Sequence, residues 1–155
     1  MSKLIMDFRV TVRSEECSRI TCDTGAAAII PFDATVESAL FTGKTLPGAA
    51  DVQVTNAAGI RHMCAQYMFE GTDFNGEPCK LFVCNNGFFE PNSRPHTFHT
   101  CPTFLTNSEV LGEYLHKAAF RAEGISDDEC LHIRIFDVQQ DGPNAGGFDH
   151  KEDFS

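Results

Sequence analysis

Along most of this chain, hydrophobic and polar side chains alternate with a period of two. Leu4, Met6, Phe8, Val10 and Val12 fall on one face of the first run, while Asp7, Arg9, Thr11 and Arg13 fall on the other. That is the pattern of a strand with one buried and one wetted side. Short β-like runs follow at residues 18–23, 26–32, 36–41, 50–56, 61–69, 79–86, 97–104, 118–123 and 130–138. Turn chemistry separates them: Leu46-Pro47-Gly48, Asn56 to Gly59, Asn75-Gly76, and Gly124 with Asp127-Asp128. Asn-Gly is a strong hairpin signal because both residues tolerate positive φ. Many short strands without long helices between them predict an all-β fold, an antiparallel sandwich or barrel.

One segment departs from the alternation. Thr106 to Glu109 has the form of a capping box, and Val110, Leu111, Tyr114, Leu115 and Ala118 then recur at helical spacing. The spacing predicts one short amphipathic helix over 107–117, laid across the barrel or plugging one end. Residues 141–155 are rich in glycine and acidic side chains and read as a flexible acidic tail. Residues 1–140 read as a single domain, without internal repeat or linker.

Composition narrows the partners. The 155 residues carry 12 Lys+Arg against 22 Asp+Glu, a formal net charge of −10. A field of that sign repels phosphate, so nucleic acid and anionic membrane surfaces are excluded as expected partners. No apolar run approaches the ~18 residues of a membrane helix. Asp7, Arg9 and Arg13 interrupt the stretch where a signal peptide needs apolar residues, so a cytoplasmic location is expected. The seven cysteines are odd in number and form no Cys-x-x-Cys pair, which points to buried, reduced thiols.

The strand at 50–55 holds the first candidate chemistry. Asp51, Gln53 and Thr55 face one way, Ala50, Val52 and Val54 the other. Two readings stand: the polar set lines a barrel lumen able to hold one small ligand, or it is the wet outer face. In a lumen the carboxyl group loses hydration, and its pKa rises toward the range of a general base. The partner strand follows the Asn56–Gly59 turn. A connection of two or four residues sets Gln53 opposite His62 and Asp51 opposite Cys64; a loop one residue different brings Met63, Ala65 and Tyr67 to that side instead. Asn85 and Asn86 occur together where asparagine is disfavoured, which means a β-bulge with Gly87 or, at Asn86, a ligand contact. His96, His99 and Cys101 have the densest metal-like spacing, yet no carboxylate accompanies them, and they read as loop histidines and a buried thiol. No metal and no cofactor is expected.

These blocks, taken in order, carry a resemblance. Leu46-Pro-Gly-Ala-Ala-Asp51-Val-Gln53 is followed by Ala65-Gln-Tyr67, Phe82-Val-Cys-Asn-Asn86-Gly87, Pro102-Thr-Phe104 and Glu113-Tyr-Leu115 with Ala119-Phe120. Over about residues 8–138 the chain resembles domain of unknown function 3237, also called uncharacterised protein family 0311, as a divergent member. It departs from that pattern at Ala49 (glycine in the family), Val52 (tryptophan) and Tyr114 (tryptophan). The resemblance implies a closed antiparallel β-barrel of calycin-like appearance with one short helix. It places Asp51 inside the family motif and favours Tyr67 as a functional phenol. The resulting expectation is acid/base chemistry on a small carbonyl-containing molecule in the lumen, with Asp51 and Tyr67 catalytic and Gln53, Asn86 and His62 binding the substrate. The alternative is a non-catalytic carrier of a small organic ligand on the same barrel. A homodimer is a further expectation.

Overall fold

The computed structural model describes residues 2–93 and 95–139; the expected tail at 141–155 lies outside the described residues. Ten strands form one antiparallel sheet: β1 (Lys3–Val12), β2 (Ser18–Cys22), β3 (Gly25–Glu37), β4 (Phe41–Thr45), β5 (Ala50–Thr55), β6 (Arg61–Asp73), β7 (Pro78–Phe89), β8 (Thr97–Thr106), β9 (Phe120–Ser126) and β10 (Leu131–Asp137). The sheet closes on itself because β3 pairs with β1 on one edge and with β4 and β5 on the other. The result is a closed antiparallel barrel, as expected, with eight strands around the ring. β2 lies outside the ring, paired to the N-terminal half of β3. Among the described residues no helix is long and apolar enough to cross a membrane.

One place in the ring is shared. β4 pairs with residues 69–73 of β6 and β5 with residues 61–66, so the two segments are one broken strand. Leu46 still donates to the Met68 carbonyl at 2.8 Å, and Ala49 accepts from Phe32 at 3.2 Å. Pro47 and Gly48 are thereby looped out between them, with Gly48 at φ 103°, a conformation open to glycine. Two extra residues preserve the in–out parity, and Phe41, Ala49, Asp51 and Gln53 all point inward.

The alternation expected of β1 is broken at its start. The β1–β10 register shifts between Leu4 and Met6, a bulge that buries Ile5 and Met6 together and leaves Leu4 49% exposed. The strand expected at 36–41 is instead the end of β3 and the start of β4. Ser38 makes the corner, its hydroxyl donating to the Phe41 carbonyl at 2.8 Å and accepting from the Phe41 amide at 3.0 Å. The helix α1 spans Glu109–Leu115 and is capped by Ser108, which accepts from Leu111 N. Thr106 is not the cap because its hydroxyl donates to Lys80 O at 2.7 Å and keeps β8 running.

α1 plugs one end of the barrel. Leu111 and Leu115 are fully buried there, over a core of Phe8, Phe41, Phe69, Leu81 and Phe120. Two hydrogen bonds tie the plug to strand ends: Ser108 Oγ donates to Asp73 Oδ2 at 2.7 Å, and the Tyr114 hydroxyl donates to Asp137. Of the seven thiols, all reduced, Cys79 is buried, Cys22 is exposed and the other five are partly exposed. The expectation of uniformly buried cysteines therefore fails: Cys64 and Cys84, for example, sit on outward-facing strand positions.

Candidate functional site

The register of the β5–β6 hairpin decides which side chains meet inside. Asn56 N donates to Ile60 O at 3.0 Å, and the Asn56 side-chain oxygen accepts from the amides of Ala58 and Ile60, each at 3.0 Å. Gly59 takes φ 85° in the left-handed region, as a three-residue hairpin turn requires. This odd-length turn sets Thr55 opposite Arg61, Gln53 opposite Met63 and Asp51 opposite Ala65. Of the two registers open from the sequence, the barrel therefore has the one that turns Met63, Ala65 and Tyr67 inward.

These residues line a cavity of about 300 Å³ at the end opposite α1. That volume stands at the lower edge of the roughly 300–1,000 Å³ typical of small-molecule pockets. Tyr67 forms its floor, packed edge-on against Phe8 and Phe32 at ring-centroid distances of 6.0 and 5.1 Å. Val10, Ile30, Phe32 and Ile133 make apolar walls, and Phe89, Pro95, Phe98 and Leu131 surround the outer part. The Arg61 guanidinium lies 4.3 Å over the Phe89 ring, a cation–π contact at the cavity wall.

Across the barrel, Asp51, Ala65 and Asn85 form one row on β5, β6 and β7. Alanine between two polar groups leaves open space between them. Asp51 Oδ2 accepts from Gln53 Nε2 at 2.8 Å, whereas Asp51 Oδ1 and Asn85 Oδ1 are buried with no hydrogen-bond partner among the described residues. Burial raises the Asp51 pKa above the ordinary carboxyl value, opposed in part by the Gln53 hydrogen bond and by the charges of Arg61 and His62. Burial, reinforced by the Asp51 charge, drives the Tyr67 pKa upward as well, so the phenol stays protonated.

Three of the five residues expected at the site are brought together: Asp51, Gln53 and Tyr67. His62 and Asn86 are not. Each neighbours a lumen residue in sequence and therefore points out of the barrel, where His62 Nε2 and Asn86 Oδ1 lie 3.2 Å apart and the imidazole stacks near Phe88. Toward β6 no bulge occurs at Asn85–Gly87, since the β6–β7 register runs unbroken from Arg61↔Phe89 to Thr72↔Pro78. Asn85, not Asn86, is the luminal asparagine. Its signal was present in the phase of Leu81, Val83 and Asn85, one polar residue on an otherwise apolar face. Arg61 carried no such signal, because its inward direction depends on the turn beside it.

Fold and site thus define a small closed barrel with one end plugged and a mostly apolar cavity carrying one buried carboxyl group. No protein-family model matches the chain, and no curated protein matches it. Solved structures do. A protein of unknown function from Clostridium acetobutylicum superposes with TM-score 0.71 at 21% identity, covering 89% of this chain and 99% of that one. A conserved protein of unknown function from Rhodopseudomonas palustris gives TM-score 0.68 at 20% identity, over 88% and 95% of the two chains. A β-barrel-like protein from Acinetobacter baumannii gives TM-score 0.68 at 16% identity, over 88% and 94%. At these identities the likeness extends to the fold alone.

Proposed function

We propose that the barrel is an enzyme that moves a proton beside a carbonyl group of a small organic molecule held in the cavity. The observation that carries this reading is Asp51 Oδ1, a buried carboxyl oxygen facing a cavity with no donor of its own. Burial weakens the acidity of that group and so brings its basicity closer to what proton transfer near neutral pH requires. Asp51 takes a proton from the carbon next to the carbonyl, and the electron pair moves onto the carbonyl oxygen. The Tyr67 hydroxyl donates to that developing oxyanion. Returning the proton to a different carbon completes an isomerisation, with the proton and electron pair both conserved. Gln53 holds the second carboxyl oxygen at 2.8 Å. Asn85 stands at the cavity in place of Asn86, and where Asn86 was expected to donate to the carbonyl, the unpartnered Asn85 oxygen accepts from an O–H or N–H of the substrate.

A second reading, a carrier of an intact small ligand, is favoured by the walls, where aliphatic and phenyl side chains outnumber polar ones. One pair of measurements separates the two. A thermal-shift screen of small carbonyl compounds finds ligands, and mass spectrometry of the incubated hit finds conversion. A carrier is stabilised without conversion. For the enzyme, Asp51→Asn lowers turnover by about 10²–10⁴-fold while the ligand still raises the melting temperature. If Asp51→Asn changes neither binding nor turnover, the assignment is wrong. The proposal also keeps the chain in domain of unknown function 3237, on the Leu46-Pro47-Gly48 block and the motifs that follow it, and in the cytoplasm.

A further inference from the structure

On the outer surface of the barrel, independent of the cavity chemistry, the β9–β10 turn gathers three donor groups of different kinds. One side-chain atom each from Asp127, Cys130 and His132 lies within 4.8 Å of the others. The turn closes through Asp127 N donating to Cys130 O at 3.0 Å. Asp127 Oδ1 accepts from the amides of Glu129 and Cys130 at 2.8 and 2.9 Å, which leaves Oδ2 directed at His132 Nε2, 2.7 Å away. Cys130 and His132 stand two residues apart and so share one side of the chain, with Sγ 3.7 Å from Nε2. The other ring nitrogen, Nδ1, faces Asp7 of β1 at 3.0 and 3.2 Å.

We infer that Asp127, Cys130 and His132 form a three-ligand site for a divalent ion of zinc or cobalt type, with water completing the tetrahedron. The donor set selects the ion class. A thiolate and an imidazole suit borderline-soft d-block ions, whereas calcium and magnesium take oxygen ligands. A tetrahedral ion with bonds of about 2.0 Å to nitrogen and oxygen and about 2.3 Å to sulfur separates nitrogen from sulfur by about 3.5 Å and nitrogen from oxygen by about 3.3 Å. The first separation is close to the 3.7 Å found. The second requires the Asp127 carboxylate, whose side chain is half exposed, to withdraw from its 2.7 Å contact by about 0.6 Å to reach that geometry.

Asp7 supplies the remaining part. A histidine that binds metal through one nitrogen commonly gives its other N–H to a carboxylate, which fixes the tautomer and the ring direction. Asp7 holds Nδ1 in that way and leaves the Nε2 lone pair facing Cys130 and Asp127. The cations nearby are Arg134, whose Nε is 3.9 Å from Asp7 Oδ2, and Arg9, opposite His132 on β1. The carboxylates of Asp7 and Asp127 and the Cys130 thiol face them. Leu131 and Ile133, on either side of His132, line the cavity from the opposite face of β10, so the ion clips the turn behind one cavity wall.

The test is a cobalt(II) titration of the chelator-stripped full chain, followed by visible absorption. One equivalent should develop the intense d–d bands of a tetrahedral centre with a sulfur-to-cobalt charge-transfer band, and zinc should displace it. Cys130→Ser should abolish the charge-transfer band, Asp7→Asn should weaken binding by about 10–100-fold, and the double variant Cys64→Ser/Cys84→Ser should change neither. Thiol alkylation of the wild-type chain, mapped by peptide mass spectrometry, gives a readout free of any folding defect in the variants: zinc should protect Cys130 above the other cysteines. Absence of saturable binding, a charge-transfer band that survives Cys130→Ser, or alkylation of Cys130 unaffected by zinc overturns the site.

Discussion

The two ends of this barrel are built from the same alternating strands and treat buried polar groups in opposite ways. At the plugged end the two buried carboxyl groups, Asp73 and Asp137, are engaged through both oxygens. Asp73 accepts from Ser108 Oγ and from the amides of Asn75 and Glu77 at 2.9 and 3.1 Å, and Asp137 accepts from the Tyr114 hydroxyl and from Gln139 N. At the cavity end Asp51 and Asn85 each leave a buried oxygen without a donor. The consequence is visible in two carboxyl groups of one fold: hydrogen bonding, led by Ser108, lowers the pKa of Asp73, while burial raises that of Asp51. An unmade buried hydrogen bond costs about 1–3 kcal/mol. Toleration of that cost at one end, beside open space, is the feature on which the proposed ligand site rests.

Substitutions can break that comparison, and the largest effect belongs to the plug. Leu111→Ala removes a fully buried side chain and should lower unfolding free energy by about 2–5 kcal/mol, read by urea denaturation. Ser108→Ala comes next, because it deletes the helix cap and leaves Asp73 Oδ2 unpaired; the expected loss is about 1–3 kcal/mol. Asp51→Asn should act in the other direction. A carboxyl group whose folded pKa is raised lowers stability as pH climbs through its titration range, because the unfolded chain ionises more readily. The amide does not ionise, so at pH 7 the variant should be more stable than the wild-type chain, and the gain should fade as pH falls toward the unfolded carboxyl pKa of about 3.9. A loss of stability at pH 7 would mean that Asp51 has a partner in solution. Smallest of all, His62→Ala on the outer face should shift stability by no more than about 0.5 kcal/mol and leave ligand-induced thermal shifts unchanged; a lost shift would return His62 to the site.

Much of the fold was legible in the chain. The period of two, the turn residues and the single helical stretch identify an all-β sandwich or barrel with one helix, since each is a local property written into consecutive residues; the choice of a closed barrel was what the resemblance implied. Asp51 and Gln53 were legible as polar positions against Val52 and Val54, but their direction was not. The outward set Val52 and Val54 is 39% and 49% exposed, so hydrophobic alternation alone would have turned this strand inside out. What overrules it is the ring, which gives β5 a lumen side set by its pairing with β3 and β6. The bulge after Leu4 shows the same limit, because an extra residue is seen only against a partner strand.

The sequence by itself determined most of the elements, the position of Asp51 between a turn and a hairpin, and the formal net charge of −10. The tertiary structure decided which neighbours share the lumen. Gly59, at φ 85° in a three-residue turn, sets a register in which Ala65 and Tyr67 meet Asp51 and His62 leaves. One residue in a turn reverses every side chain of the following strand, and no local pattern reports it. The same holds for His132, whose partners Asp7 and Asp127 come from β1 and from the turn before it. Contacts between distant segments exist only once the barrel closes, and both candidate sites are made of such contacts.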